Sequence, residues 1–309
     1  MSEQVYARDI YGKTLVELGR RDSNVVVLDA DLSGSTRTCF FGKEFPERFF
    51  NMGVAEQNMM ATAAGFASCG KIVFVSTFSM FASARALDQV RNSITYNNFN
   101  IKIVASHGGL TVGEDGSSHQ ALEDISFMRS IPGLRVIVPC DGPETKEAVL
   151  AAYKEEGPFY IRIGRSKAAT IENKKTFVLG KGCIIDEGKD VALICSGIMV
   201  AKAMQALSLL KKEGINPYLV NMPTIKPIDE ELIINLSSKV KAFVVCEEHS
   251  IIGGLGCAVA EVVCENNPIL VKRVGTKDVF GQSGSPDQLL KKYGLEPQDI
   301  AQAVKEILR

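Results

Sequence analysis

The sequence predicts an α/β protein made of two doubly wound domains, and three observations carry that prediction. Short β-branched runs alternate with longer helix-like stretches along the chain, the pattern of parallel sheets covered by helices. The pattern weakens once, in a polar, lysine-rich stretch at 166–189 that reads as a linker, and then resumes. With 309 residues there is length for two separate cores. The boundaries that follow are 1–170 for the first domain and 185–309 for a smaller second one.

The first helix is expected at about 5–18, with Ser2 placed to cap it. Buried strands follow at 25–28, 72–75, 101–104, 136–138 and 159–163, each a short apolar run rich in valine and isoleucine. Helices fall between them near 55–68, 81–94 and 144–153. The second set has strands at 191–194, 218–220, 242–245 and 269–271, with a helix running to about Lys212. Another helix opens at Gly253-Gly254-Leu255-Gly256, and two more close the chain.

Composition narrows the function. The apolar share is 46% and the charged share 23%, as in soluble globular proteins, and 35 basic residues nearly balance 36 acidic ones. That balance leaves no electrostatic footprint for nucleic acid or a membrane surface. No apolar run is long enough to span a bilayer, and Met1-Ser2-Glu3-Gln4 lacks the basic-then-apolar pattern of a signal peptide, so a cytoplasmic location is expected. The eight cysteines form no C-x-x-C pair, and most sit in apolar segments. They read as reduced and buried, not as a metal site or disulfide framework.

The segment 106–120, Ser-His-Gly-Gly-Leu-Thr-Val-Gly-Glu-Asp-Gly-Ser-Ser-His-Gln, holds two of the three histidines and four glycines directly after a strand. Glycine-permitted turns at strand ends are where open α/β sheets bind ligands, and histidine suits proton transfer or hydroxyl binding. The plain alternative is a solvated loop. Glu56 opens a segment rich in alanine, glycine and methionine that reads as a buried helix. Desolvation there favours the protonated carboxyl and suits it to proton exchange with a ligand nitrogen. A first-turn glutamate also simply complements the helix dipole. Phe78 and Phe81 share a helical face after a strand, as core or as a wall for a flat heterocycle.

Other features are less distinctive. Asp29 and Asp31 with Ser33-Gly34-Ser35-Thr36 form a polar turn after a strand. Arg165, between Gly164 and Ser166, and Arg8 are phosphate-type or merely exposed arginines. There is no G-x-x-x-x-G-K-[ST] loop, and the glycines at 253–256 read as close helix packing instead of a dinucleotide fingerprint. His249 reads as structural or interfacial.

Taken in order, these pieces resemble transketolase over essentially the whole chain. The loop Gly113-Glu114-Asp115-Gly116-Ser117-Ser118-His119-Gln120 is similar to the family's G-E-D-G-P-T-H-Q, with Ser117-Ser118 in place of Pro-Thr. Asp29-Ala30-Asp31-Leu32 resembles its A-D-L segment, and Gly53-Val54-Ala55-Glu56 resembles the G-I-x-E that carries its catalytic glutamate. Ser130-Ile131-Pro132 and Asp141-Gly142 also fit.

The resemblance implies a pyrimidine-binding domain for thiamine diphosphate, followed by the family's carboxyl-terminal α/β domain. The family's G-D-G motif for the diphosphate and Mg²⁺ does not occur here, so the implied protein is the carboxyl-terminal subunit of a split transketolase. A separate amino-terminal subunit would hold the diphosphate and metal, with two copies of each chain in a heterotetramer and no metal ligands in this chain. The implied reaction moves a two-carbon ketol unit from xylulose 5-phosphate to ribose 5-phosphate or erythrose 4-phosphate in the non-oxidative pentose phosphate pathway.

Residue by residue, the resemblance makes Glu56 the partner of pyrimidine N1′, with Phe81 and Phe78 packing on the ring. It makes His107 and His119 hydroxyl- and carbonyl-binding groups that assist proton transfer, Asp115 a contact to the donor hydroxyl, and Arg8, Ser35 and Arg165 the holders of the sugar phosphate. Ala84 departs from the tyrosine that many transketolases place on the pyrimidine wall. The beta subunit of a 2-oxo acid dehydrogenase, 1-deoxyxylulose-5-phosphate synthase and a catalytically silent interaction subunit are the alternatives.

Overall fold

The computed structural model describes residues 4–172 and 174–309, so the cap expected at Ser2 lies outside the described residues. The first half runs β1 (Gln4–Tyr6), α1 (Ala7–Arg21), β2 (Val25–Asp29), the short α2 (Ser33–Thr36) and α3 (Cys39–Glu44), and β3 (Phe49–Asn51). It continues through α4 (Glu56–Ser68), β4 (Ile72–Ser76), β5 (Ile101–Ala105), α5 (Asp124–Ser130), β6 (Arg135–Ile137), α6 (Gly142–Lys154), β7 (Phe159–Arg162) and β8 (Lys167–Ala169). The second half runs β9 (Cys183–Asp186), β10 (Ala192–Cys195), α7 (Met199–Lys212), β11 (Tyr218–Asn221), β12 (Thr224–Lys226) and α8 (Glu230–Ser237). It ends with β13 (Ala242–Ser250), α9 (Leu255–Glu265), β14 (Leu270–Thr276), α10 (Pro286–Lys292) and α11 (Pro297–Ile307).

Two sheets organise the molecule. Seven strands lie in the order β12-β6-β7-β5-β4-β2-β3, parallel except where β12 pairs antiparallel with β6. Five lie in the order β14-β13-β10-β11-β9, parallel except for β9. The strands β2, β5, β7 and β10 are buried throughout, Asp29, Lys102 and Arg162 included, because helices cover both faces.

The halves are not separable at the polar stretch. It carries β8, which pairs antiparallel with β1, and β9, the edge of the second sheet. The strand β12 comes from the second half yet closes the edge of the first sheet. One apolar cluster contains Val26, Met59 and Val75 together with Val220, Val245 and Val259 and so joins the two sheets, while two further clusters lie mainly in one half each.

Three expectations are corrected. The segment expected as an α-helix at 81–94 is wound mainly as π-helical turns, Phe81–Arg85 and Gln89–Thr95. The helix α4 is not apolar all round: Met59, Met60, Ala63 and Ala64 are buried, but Gln57, Asn58, Ala61 and Gly65 face outward. Of the eight cysteines, all free, only Cys140, Cys195 and Cys246 are buried, while Cys69 and Cys264 are exposed at helix ends. No helix of the described residues is long and apolar enough to cross a membrane.

Candidate active site

The residues singled out after β2, β4, β5 and β7 lie at the carboxyl ends of those parallel strands, where the turns of an open α/β sheet meet. The turns are tied to one another by the backbone. Ser79 N donates to the Ser106 carbonyl (2.7 Å), and Ser106 N to the Thr77 carbonyl (3.1 Å). This stitch stacks Phe78 on His107, with ring centres 3.8 Å apart and planes 22° from parallel.

Phe78 is therefore buried and supports a histidine, instead of standing open as a wall. Phe81 is more open. Its ring lies 6.0 Å from Phe78 and meets the edge of His119 at 5.2 Å.

His107 is 2% exposed and has a positive φ of 58°, a conformation a non-glycine residue rarely adopts and one that recurs at functional sites. Its Nδ1 lies 2.9 Å from Ser106 Oγ. Burial first, then the nearby cations Arg8 and Arg165 and then His119, lower its pKa to about 3. At neutral pH His107 is an uncharged imidazole, fit to share hydrogen bonds with hydroxyls or a carbonyl.

Arg8 and Arg165 lie near enough to act on His107 and on each other electrostatically. Burial and then Arg37 lower the pKa of Arg8, and Arg165 acts in the same direction. Arg8 Nη1 reaches the Ser35 carbonyl (3.3 Å), so Ser35 meets the arginine through its backbone. Arg165 is held against Val112 and pairs with Glu114 at 3.1 Å.

Glu56 sits at the other end. Its side chain is 1% exposed, Oε2 accepts from Arg85 Nη1 (2.9 Å), and Oε1 is buried without a partner. Arg85 also lies over the Phe81 ring, 4.3 Å from its centre. A continuous row results: Glu56, Arg85, Phe81, His119 and Phe78, His107, then Arg8 and Arg165.

Asp115 is exposed beyond this row. Asp29 is buried and its carboxylate accepts from Thr36 Oγ1 (2.7 Å), Thr38 Oγ1 (2.8 Å) and Leu32 N (2.6 Å), so it shapes the turn. Ala84, where the resemblance expects a tyrosine, adds no ring beside Phe81. Among the described residues, no group of three or more His, Cys, Asp or Glu could hold a metal ion.

The histidine loop is braced by Glu248 from the second half and by Arg162, neither of which sequence patterns singled out. Glu248, on β13, accepts from Thr111 N (2.6 Å), and a side chain at Gly109 (φ +89°) would collide with its carboxylate. Burial raises the Glu248 pKa to about 6 against the opposing pull of Arg162. Arg162 bonds Asp124 Oδ2 (2.8 Å) and the carbonyls of Ala121 (3.1 Å) and Glu248 (2.9 Å). Gln120 Nε2 donates to the Gln282 carbonyl (2.8 Å), so the Gln of the H-Q pair works as a fastener. His249 is structural: buried, its Nδ1 lies 2.7 Å from the Ser250 carbonyl, and Ser126 N lies 3.4 Å from its Nε2. The signals in the sequence were faint, an i, i+4 spacing for Phe81 and Arg85 and an acidic pair at Glu247-Glu248.

Two family models match the chain, the transketolase pyrimidine-binding domain over residues 3–170 and the transketolase C-terminal domain over 180–300. A provisionally assigned transketolase C-terminal section of Methanocaldococcus jannaschii is 53% identical, over 97% of this chain and 95% of its own length. A 6-deoxy-6-sulfo-D-fructose transketolase subunit of a Clostridium species is 40% identical over 99% and 95%. A solved structure described as a split-gene transketolase in an inactive beta4 tetramer superposes with a TM-score of 0.90, at 48% identity and 99% coverage of both chains.

Proposed function

The chain belongs to the transketolase family, and we propose that it is the pyrimidine-binding, carboxyl-terminal subunit of a two-chain, thiamine diphosphate-dependent transketolase. The observation that carries the reading is Glu56: a buried carboxyl with one unpartnered oxygen beside the Phe81 ring, at the end of a row that leads to two arginines. A buried polar atom without a partner costs free energy on the order of 1–3 kcal/mol, which a ligand hydrogen bond offsets. A cofactor pyrimidine nitrogen fits that vacancy.

Bound thiamine diphosphate supplies the carbon nucleophile of ketol transfer. Glu56 holds and exchanges a proton at the pyrimidine nitrogen, and Phe81 offers the flat apolar surface. His107, neutral and fixed by Phe78, and His119, fixed by Ser118 Oγ (3.0 Å), bind the sugar carbonyl and hydroxyls. Asp115 reaches the donor hydroxyl. Arg8 and Arg165, with the Ser35 turn, neutralise the terminal anion of the sugar, in which charge-assisted hydrogen bonds are the strong ones.

The terminal anion is a phosphate in the pentose phosphate reaction, with xylulose 5-phosphate as donor and ribose or erythrose phosphate as acceptor. The sulfo-fructose relative leaves a sulfonate as the competing choice. The diphosphate and Mg²⁺ belong to an amino-terminal subunit, and two copies of each chain complete the enzyme. The outward face of α4 and the exposed Val54 beside Glu56 support a partner surface there. A cytoplasmic location suits sugar phosphate substrates.

Glu56→Gln in the assembled enzyme tests the reading. Ketol transfer should fall about 10²–10⁴-fold, with unchanged circular dichroism and melting temperature. Turnover near wild type would remove Glu56 from its role.

A further inference from the structure

Arg85 enters the Glu56 site from outside. Its side chain is 46% exposed, whereas that of Glu56 is 1% exposed, and the guanidinium covers the buried carboxylate. It does two things at once: Nη1 donates to Glu56 Oε2 at 2.9 Å, and the planar cation lies on the Phe81 ring at 4.3 Å. The π-helical turn Phe81–Arg85 arranges this by bringing the residue four positions on over the phenylalanine. Ala82, Ser83 and Ala84 between them add no bulk.

A protonated or neutral aminopyrimidine is also flat, also stacks on an aromatic face, and also presents N–H groups at its rim. We propose that Arg85 is a placeholder for the aminopyrimidine: it occupies the seat between Phe81 and Glu56, and swings out when the ring enters. The inference rests on the assignment of Glu56 and Phe81 to pyrimidine binding. Two flat groups cannot share one face of Phe81 at stacking distance, so the guanidinium and the ring exclude each other there. Glu56 Oε1, left unpartnered while Oε2 is engaged, marks the seat as half filled.

The latch is weak by construction. The cation is half exposed and its cation–π contact is a small term, and the entering ring supplies the hydrogen bond that the buried Glu56 carboxylate loses, so the arginine can be displaced. Self-occupancy lowers apparent affinity by the fraction of open seats. Removing the arginine should therefore tighten pyrimidine binding, about three- to tenfold on this reasoning.

The test uses the full chain with thiamine as the probe, titrated in the millimolar range and followed by NMR on the Arg85 Nε–Hε and phenylalanine ring resonances. In the wild type, thiamine should shift both sets as the arginine leaves Glu56. Arg85→Ala and Arg85→Met should both bind thiamine about three- to tenfold more tightly, and Glu56→Gln should weaken it. Equal or weaker binding by both arginine variants, with Phe81 still perturbed, would overturn the placeholder while leaving the pyrimidine site in place. Thiamine perturbing neither Phe81 nor Arg85 in any of these chains would remove the pyrimidine assignment, and the placeholder with it.

Discussion

At the carboxyl ends of the seven-stranded sheet, the turns after β2, β4, β5 and β7 present Ser35, Phe81, His107 and Arg165 to one another. At the same ends of the five-stranded sheet, the corresponding turns do different work. Glu247 of β13 accepts from Leu255 N (2.7 Å) and Gly256 N (2.9 Å), capping α9, and Glu248 reaches back to the histidine loop. Both sheets are parallel, helix-covered and buried, so architecture alone does not separate them. What separates them is where their polar side chains are spent: on open geometry in the first, and on internal satisfaction in the second. The second sheet acts as a brace for the first, which gives the carboxyl-terminal half a role in positioning the histidine loop.

The comparison breaks most sharply at the arginines. Arg8→Ala or Arg165→Ala should raise KM for a phosphorylated sugar about 10–100-fold, the scale of one charge-assisted hydrogen bond. Cofactor affinity should stay as it was, and unphosphorylated sugars should be indifferent, both read by steady-state kinetics on the assembled enzyme. Equal losses for both sugars would move these residues out of the open geometry and into the brace.

A smaller effect should come from Glu248→Ala, which strands the Thr111 N–H and is expected to cost about 1–3 kcal/mol of stability. It should lower kcat/KM by about tenfold through the loop. Glu248→Gln, which keeps an acceptor, should restore most of both. A melting temperature that falls with no kinetic change would make the brace structural only.

The smallest effect concerns His107. Its folded-state pKa lies below that of an exposed histidine, so the unfolded chain binds the extra proton as pH falls. The stability contributed by neutral His107 is fully present above about pH 6.5 and is lost as pH falls towards about 3. Between pH 7 and pH 6, wild type should lose about 0.5–1 kcal/mol more than His107→Asn, measured by denaturant unfolding. Identical profiles would contradict burial of that ring.

Much of the first sheet was legible because its strands are short, mostly apolar runs at 25–28, 72–75 and 101–104 that a doubly covered sheet buries, broken only by the buried Lys102. The short edges β3 and β12 were not, since three residues leave no period to detect. The π winding after 81 also escaped, because one or two turns are too short for the sequence to show whether hydrogen bonds run i→i+4 or i→i+5.

At the site, residue types that are scarce or chemically committed stood out, such as His107, His119 and Glu56. Their supports did not: Arg85, Arg162 and Glu248 are ordinary charged residues in sequence, and only the fold brings Glu248 to Thr111 across 137 positions. Phe78 shows the limit from the other side. Its spacing suggested one helical face with Phe81, but Phe78 lies ahead of the helix in a bridge to Ser106, and the stitch between the turns after β4 and β5 stacks that ring on a histidine.

The central claim is that this chain carries the pyrimidine and sugar half of an active site completed by another subunit. Its most direct test is ketol transfer from xylulose 5-phosphate to ribose 5-phosphate, in thiamine diphosphate and Mg²⁺, for this chain alone, for its amino-terminal partner alone, and for the two mixed. Activity should appear only in the mixture. Full activity from this chain alone would contradict the account.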